Sequence, residues 1–208
     1  SGGRLDLGIG SGWLPEEFTA SGVSMAHRGA RADEFVAALR AVWGGAAGYD
    51  GAFFTIPAGG RQEPAPVQRP GPPVLIGGMS RGAMERAGRI GDGWVTASSA
   101  DLSQIAESAK VVQSAARAAG RGPARIVCRG VVRPGEPSVS PKTGERRRLS
   151  GSYEQIREDV RWLGSCGVTE VFYDMNFDPA VGNPDADEGK AVLRACEILE
   201  ALAPGART

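Results

Sequence analysis

Residues 74–96 read VLIGGMSRGAMERAGRIGDGWVT, and this stretch contains a complete strand-helix-strand unit. Three apolar residues at 74–76 predict a short buried strand, which two glycines follow. Apolar residues then recur at helical spacing over residues 80–90, and Gly91 is typical of a helix end. Residues 94–96 predict a second strand. A short strand, a helix and another short strand form the repeating unit of a parallel sheet, so the stretch predicts an α/β fold.

The same alternation continues on both sides of this unit. Further short apolar strands are predicted at residues 5–9, 126–132 and 168–173, which makes five strands in all. Helices are predicted over residues 27–43 and 102–116, after Ser152, and near the end of the chain. Ser152 followed by Gln155 has the pattern of a capping box, which marks a helix start.

Two long stretches interrupt the alternation of strands and helices. Residues 44–73 are rich in glycine and proline, with a possible small hairpin across Asp50-Gly51. Residues 134–151 are polar and contain the run Arg146, Arg147 and Arg148, which we expect to be a solvated loop that could also meet an acidic ligand. Stretches of this length between a strand and a helix are often functional.

Composition excludes several classes of protein. The 208 residues carry 24 basic and 24 acidic side chains, and this balance argues against a dedicated nucleic-acid-binding protein. No run of about 18 apolar residues is present, so no membrane span is predicted. The three cysteines are too far apart for a CxxC metal site, and we expect free thiols in a cytoplasmic protein. His27 is the only histidine, which excludes a site that needs two imidazoles, and we expect it at the surface or in an interface rather than in a catalytic site.

In parallel α/β folds, ligands bind beyond the carboxyl ends of the strands. The residues of interest after the first strand are Gly10, Ser11, Gly12, Trp13 and Glu16. Those after the second strand are Gly77, Gly78, Met79 and Ser80, just before a helix, where backbone N–H groups suit a phosphate or another anion. Both segments are also compatible with simple tight turns. Thr96, Ser98, Asp174 and Asn176 end or follow other strands and are less specific.

Four segments of the chain are distinctive when taken together: GGRLDLGIGSGWLPEEF (2–18), HRGARADEFVAALRAVW (27–43), PVQRPGPPVLIGGMSRGAMERAGRIGDGWV (66–95) and GSYEQIREDVRWLGSCGVTEVFYDMNF (151–177). Together they resemble the luciferase-like monooxygenase superfamily, and in particular its branch of coenzyme F420-dependent oxidoreductases. They occur in the order of that family and extend over nearly the whole chain.

The resemblance implies an (α/β)8 TIM barrel, a homodimer and a cofactor across the mouth of the barrel. By position, Gly10, Ser11, Gly12, Trp13 and Glu16 would line the pocket for the ring and ribityl chain. Gly77, Gly78, Met79 and Ser80 would hold the ribityl-phosphate region, with Thr96 alongside. The side chain of Gly78→Val would then block the phosphate while leaving the fold mostly intact.

Only five of the eight strands of such a barrel are visible. We therefore expect one domain over residues 1–208 that represents the last five βα units of a partial TIM barrel, truncated at its N-terminus. Such a piece would expose its first strand as an unpaired edge. Catalytic residues in the portion that is not seen are unknown.

Three functions remain open at this point. The first is an oxidoreductase that transfers a hydride between the deazaflavin coenzyme F420 and a small organic substrate. The second is an FMN-dependent monooxygenase of the same fold. The third is a non-catalytic barrel fragment that acts as a binding or assembly module.

Overall fold

A computed structural model describes residues 1–59, 63–141 and 143–205 of the chain. The elements are, in order, β1 (Leu7–Ile9), α1 (Pro15–Ala20), α2 (Arg28–Trp43), β2 (Tyr49–Asp50), β3 (Thr55–Ile56), β4 (Val74–Gly77), α3 (Arg81–Ile90), β5 (Gly93–Val95), a 3-10 helix (Leu102–Gln104), α4 (Ile105–Ala118), β6 (Arg125–Val131), β7 (Arg133–Pro134), β8 (Ser150–Gly151), α5 (Tyr153–Ser165), β9 (Glu170–Asp174) and α6 (Glu188–Leu202). Residues 60–62 and 142, which belong to the two predicted long stretches, lie outside the described residues.

The five predicted strands are confirmed, with ends displaced by one or two residues. They form a parallel sheet in the order β1-β4-β5-β6-β9. The central strand β4 is buried along its apolar run, because Val74, Leu75 and Ile76 are at most 9% exposed. Helices α2 to α6 lie where helical spacing predicts them, and the small hairpin is present as the antiparallel pair β2–β3.

Two compact units make up the chain. Unit 1 comprises Ser1–Val95 and Lys110–Arg125, and unit 2 comprises Thr96–Ala109 and Ile126–Thr208. The single domain expected over residues 1–208 stays a prediction.

Unit 1 is held together by contacts between its helices. The carboxylate of Asp33 on α2 binds Arg86 at 2.5 Å and Arg89 at 2.7 Å, both on α3. Gly88 of α3 lies against the backbone of Val112 on α4, so any larger side chain at this position would collide with that helix. These contacts place α3, and the turn before it, firmly on the sheet.

Unit 2 contains the long pairing of β6 with β9 and the short parallel pair β7–β8. Its core includes Ile126, Leu149, Ile156 and Leu163, all with 0% exposure. Among the described helices of the chain, none is long and apolar enough to cross a membrane.

Candidate functional site

The ends of β1 and β4 bring two of the predicted segments together. These strands are parallel neighbours, and Ile9 of β1 lies opposite Ile76 of β4. Gly10 and Gly77 follow these two residues, so the two glycines are side by side at the carboxyl edge of the sheet. We call Gly10, Gly77 and the residues up to Ser80 the glycine edge.

The backbone at this edge can be approached closely. A Cβ atom added at Gly10 would meet nothing within 4 Å, and one at Gly77 would make only ordinary contacts, the nearest at 3.6 Å. The folded chain therefore does not itself require glycine at either position. Space beside an uncovered backbone is what a bound ligand needs.

Gly12 and Gly78 have a different explanation. Gly12 has φ +77°, and a Cβ there would meet the ring of Phe18 at 2.7 Å. Gly78 has φ +130°, and a Cβ there would lie 2.8 Å from that of Ala83. Both glycines are needed by the local turns. The expectation that Gly78→Val leaves the fold mostly intact is therefore wrong, because valine at this φ is strained and collides with α3.

Helix α3 begins at the glycine edge. The hydroxyl of Ser80 accepts a hydrogen bond from the Ala83 N–H at 3.2 Å, so Ser80 is the N-cap. The indole Nε1 of the buried Trp94 donates to the Gly78 carbonyl at 2.8 Å and fixes the turn before the helix. The first N–H groups of a helix lack partners within it, and its dipole is positive at this end, so the position favours an anion.

The remaining candidates after β1 and β4 are partly or fully exposed. Trp13 is 77% exposed, and Glu16 is exposed in the first turn of α1. Ser11 lines a cavity of about 10 Å³ beside Ile9 and Gly77, a volume that corresponds to about one water molecule. Met79, beside Gly78, is 36% exposed. These side chains are available to a ligand without a change in the core.

Thr96 belongs to unit 2, and its hydroxyl is used within that unit. Its Oγ1 accepts from the Arg129 N–H at 2.9 Å and donates to the Arg129 carbonyl at 3.4 Å. The residue is 3% exposed. These bonds account for threonine at this position by its contact with β6, and a place beside the cofactor stays a prediction.

Asp174, one of the less specific candidates from the sequence, is a buried carboxylate at the end of β9. Asp174 accepts hydrogen bonds from the Ser98 hydroxyl at 2.5 Å and from Arg129 Nε at 2.9 Å. Burial alone would raise its pKa, but these bonds and the Asn176 N–H hold the pKa below its ordinary value. The sequence feature that these three residues share is their position: Ser98, Arg129 and Asp174 all lie near the carboxyl ends of strands. Only the fold brings them together.

The run Arg146 to Arg148, expected to be a solvated loop, is partly bound to a helix in the structure. Asp159, on α5, has a fully buried side chain that binds Arg146 at 2.8 Å and Arg148 at 2.8 Å. Arg148 also lies over the ring of Trp162, at 4.2 Å from its centroid. Two of the three arginines are thus anchored to α5, because the buried carboxylate needs counterions.

A family model described as "Luciferase-like monooxygenase" matches residues 1–140. The chain therefore belongs to the luciferase-like monooxygenase family, whose members are oxidoreductases and monooxygenases.

Curated relatives match part of the chain. The FMNH(2)-dependent dimethylsulfone monooxygenase of Pseudomonas putida is 34% identical over 100 residues, which are 46% of this chain and 27% of that protein. An uncharacterised protein of Mycobacterium tuberculosis (strain ATCC 25618 / H37Rv) is 38% identical over 95 residues, 45% of this chain and 32% of that protein. The matches thus span about a third, or less, of the length of these relatives.

Solved structures share the fold over most of the chain. An F420-dependent secondary alcohol dehydrogenase, in complex with an F420-acetone adduct, has a TM-score of 0.69 at 16% identity, and the match covers 97% of this chain and 71% of that one. The monooxygenase RslO1 from Streptomyces bottropensis has a TM-score of 0.64 at 25% identity, covering 84% and 62%. The expected fold is confirmed: five parallel strands match these TIM-barrel neighbours, and within the described ranges they do not close into a barrel.

Proposed function

We propose that this chain binds the deazaflavin coenzyme F420 at the glycine edge and serves an oxidoreductase that transfers a hydride between this cofactor and a small organic substrate. The observation that carries the proposal is that Gly10 and Gly77 lie side by side where α3 begins, with open space at Gly10 and only ordinary contacts at Gly77. Neither glycine is required by the packing of the chain, so a ligand accounts for both. Association as a homodimer stays a prediction.

The residues present fit such a cofactor. The N–H groups at the start of α3, next to Ser80, would hold its phosphate group. Trp13 offers a flat apolar surface, and with Gly10, Ser11 and Glu16 it would line the ring and ribityl chain. The bound deazaflavin supplies the carbon that gives or accepts the hydride. The chain's own part is then to orient the cofactor and to keep water away, which does not require a strong acid-base pair.

An FMN-dependent monooxygenase is the second candidate. One observation favours it: the relative from Pseudomonas putida is named for FMNH(2), and it is 34% identical over 100 residues. FMN also carries a phosphate, so the start of α3 would serve either cofactor. The contacts at the glycine edge do not discriminate between the two.

Titration of the 208-residue chain with F420 and with FMN, followed by cofactor absorbance and by tryptophan fluorescence, tests the proposal. We expect saturable binding of F420 that is tighter than that of FMN. Gly77→Ala adds one methyl group where the chain itself has room, so we expect about tenfold weaker binding with an unchanged melting temperature. Tighter binding of FMN would favour the monooxygenase.

Gly122→Ala is the matched control for this variant. Gly122 lies in the exposed loop before β6, at the amino end of that strand, whereas the glycine edge lies at the carboxyl ends of β1 and β4. A Cβ at Gly122 would meet nothing within 4 Å. This control should bind as the parent chain does. Absence of binding for both cofactors, or equal affinity of Gly77→Ala and the parent, would overturn the assignment of the glycine edge.

A further inference from the structure

Unit 2 contains a recess that the proposed cofactor site does not use. Its volume is about 790 Å³, which lies within the range of about 300–1,000 Å³ found for small-molecule sites. Five arginines line it, together with residues 98–103 and the side chain of Trp162. They are Arg129, Arg133, Arg146, Arg147 and Arg148, and we call the recess the arginine cleft.

Three of the five arginines are paired with two buried carboxylates. Arg129 binds Asp174 at 2.9 Å. Arg146 binds both oxygens of Asp159, at 2.8 and 2.9 Å, and Arg148 binds the same carboxylate at 2.8 Å. These ion pairs explain the three arginines as residues that stabilise unit 2.

The other two arginines, Arg133 and Arg147, form no ion pair within the part of the chain that the structure describes. Arg133 lies over the ring of Phe177, at 5.6 Å from its centroid. Among the described residues, the guanidinium group of Arg147 donates one long hydrogen bond, 3.4 Å, to the Val139 carbonyl. Burial lowers the pKa of Arg133, and the positive charge of Arg147 lowers it further, against the opposing effect of the Asp174 carboxylate. Two like charges close together are unfavourable unless an anion joins them.

The rest of the lining is polar. The hydroxyl groups of Ser99 and Thr143 belong to it, and such groups donate readily to phosphate or carboxylate oxygens. Two carboxylates, Asp101 and Glu145, are also part of the lining, and Asp101 is occupied by the N–H and hydroxyl of Ser103. With the buried Asp159 and Asp174 included, the carboxylates at the cleft number four. The five guanidinium groups therefore exceed them by one.

We propose that the arginine cleft binds a hydrophilic small molecule through a phosphate or carboxylate group held between Arg133 and Arg147. Guanidinium groups bind both of these anions with paired N–H donors, and the hydroxyl-lined remainder of the cleft suits a polar rather than an apolar ligand. The proposal does not depend on the cofactor assigned to the glycine edge.

Calorimetric titration of the 208-residue chain with pyrophosphate and, separately, with citrate tests this inference, at constant ionic strength because salt screens such contacts. We expect saturable binding of at least one anion with one site per chain. Arg133→Gln and Arg147→Gln should each weaken it by about tenfold or more, since a hydrogen bond to a charged group contributes about that factor. Binding of pyrophosphate alone assigns a phosphate ligand, and binding of citrate alone a carboxylate.

Arg161→Gln is the charge-matched control. Arg161 lies on α5, has a side chain 64% exposed, and pairs with Glu154 outside the cleft. It should leave anion affinity unchanged. Arg147 is exposed, so its replacement keeps the test informative even if Arg133→Gln fails to fold. No saturable binding of either anion, or equal weakening in Arg161→Gln, would overturn the proposal.

Discussion

At the scale of single residues, Asp159 shows how this protein keeps a buried carboxylate charged. Its oxygens accept hydrogen bonds from Arg146 and Arg148 and, at 2.7 Å, from the Leu149 N–H. Burial alone would raise the pKa of Asp159, but these donors outweigh burial and hold it below its ordinary value. One aspartate thereby ties the loop of residues 146–149 to α5.

Replacement of Asp159 by asparagine is expected to destabilise the protein by about 2 kcal/mol. Two arginines would lose their counterion, and the loss lies below the roughly 3–5 kcal/mol of fully buried pairs because both guanidinium groups reach solvent. Denaturant unfolding measures the change. Glu158→Gln, which removes a neighbouring exposed carboxylate from the same helix, should stay within about 0.5 kcal/mol of the parent.

The same aspartate makes stability depend on pH. Since the pKa is lower in the folded chain than the ordinary 3.8, the stabilisation is complete above that pH and is lost as pH falls through the folded-state pKa. Asp159→Asn should therefore lose less stability than the parent on acidification below about 3.8. A parent and a variant with identical acid dependence would contradict this account.

Two neighbouring acidic residues show why partners are hard to infer from sequence. Asp33 and Glu34 lie side by side near the start of α2, where arginines of the same helix would be their nearest partners in sequence. Asp33 instead binds arginines of α3, more than 50 residues away in sequence. Glu34 accepts three backbone N–H groups from residues 52–54 and so anchors the hairpin. A carboxylate's charge predicts that it needs donors, whereas the fold selects them.

At the scale of elements, local signals were dependable where they satisfy backbone groups. The predicted capping box is present at the start of α5: the Ser152 hydroxyl accepts from the Gln155 N–H at 3.2 Å, and the Gln155 side chain accepts from the Ser152 N–H at 2.9 Å. These bonds involve residues only three apart. They form as soon as the helix does, whatever the rest of the chain contributes.

Ser152→Ala is expected to lower the free energy of unfolding by about 1 kcal/mol, because an N-terminal N–H of α5 loses its acceptor. Thermal or urea unfolding measures the effect. Ser165→Ala, at the exposed opposite end of the same helix, provides the comparison and should change stability by less than about 0.5 kcal/mol. A Ser152→Ala protein as stable as the parent would show that the cap contributes nothing to α5.

Elements that depend on distant pairing were missed. The pair β7–β8 joins Arg133–Pro134 to Ser150–Gly151, across a loop whose composition suggests only polarity. Strands of two residues have no periodicity to detect, and β7 and β8 lack a local turn signal such as Asp50-Gly51, which marked the hairpin β2–β3. Their register, however, is what holds the loop of the arginine cleft close to β6.

At the scale of the whole molecule, the three cysteines report on how tightly the chain is folded. Cys196 is exposed, Cys166 is half-buried and Cys128 is buried on β6. Burial raises the pKa of the Cys128 thiol to about 11, against the opposing effect of its hydrogen bond with Thr96. A thiol must be both deprotonated and accessible to react.

Labelling with a thiol reagent at pH 8 should therefore modify Cys196 rapidly and Cys128 only when unit 2 opens. We expect the Cys196→Ser variant to lose the fast phase, and denaturant to expose the slow thiol together with loss of secondary structure. Mass spectrometry of the labelled peptides identifies each site. Rapid labelling of Cys128 in the folded chain would contradict the packing of β6.

The sequence by itself determined the five strands, the main helices and the glycines at the strand ends. Each of these depends on residues close together in the chain, so periodicity and composition are sufficient to predict them. The resemblance to the luciferase-like family, read from four segments, likewise agreed with the match over residues 1–140.

Only the tertiary structure decided which of those residues have a partner. It placed Gly10 beside Gly77 with room for a Cβ atom at both, and it accounted for Gly12 and Gly78 by turns. In unit 2 it gave Arg146 a buried counterion and left Arg147, the next residue, without one in the described chain. The physical reason is that charge and backbone accessibility are settled by segments distant in sequence, and their meeting has no local signature.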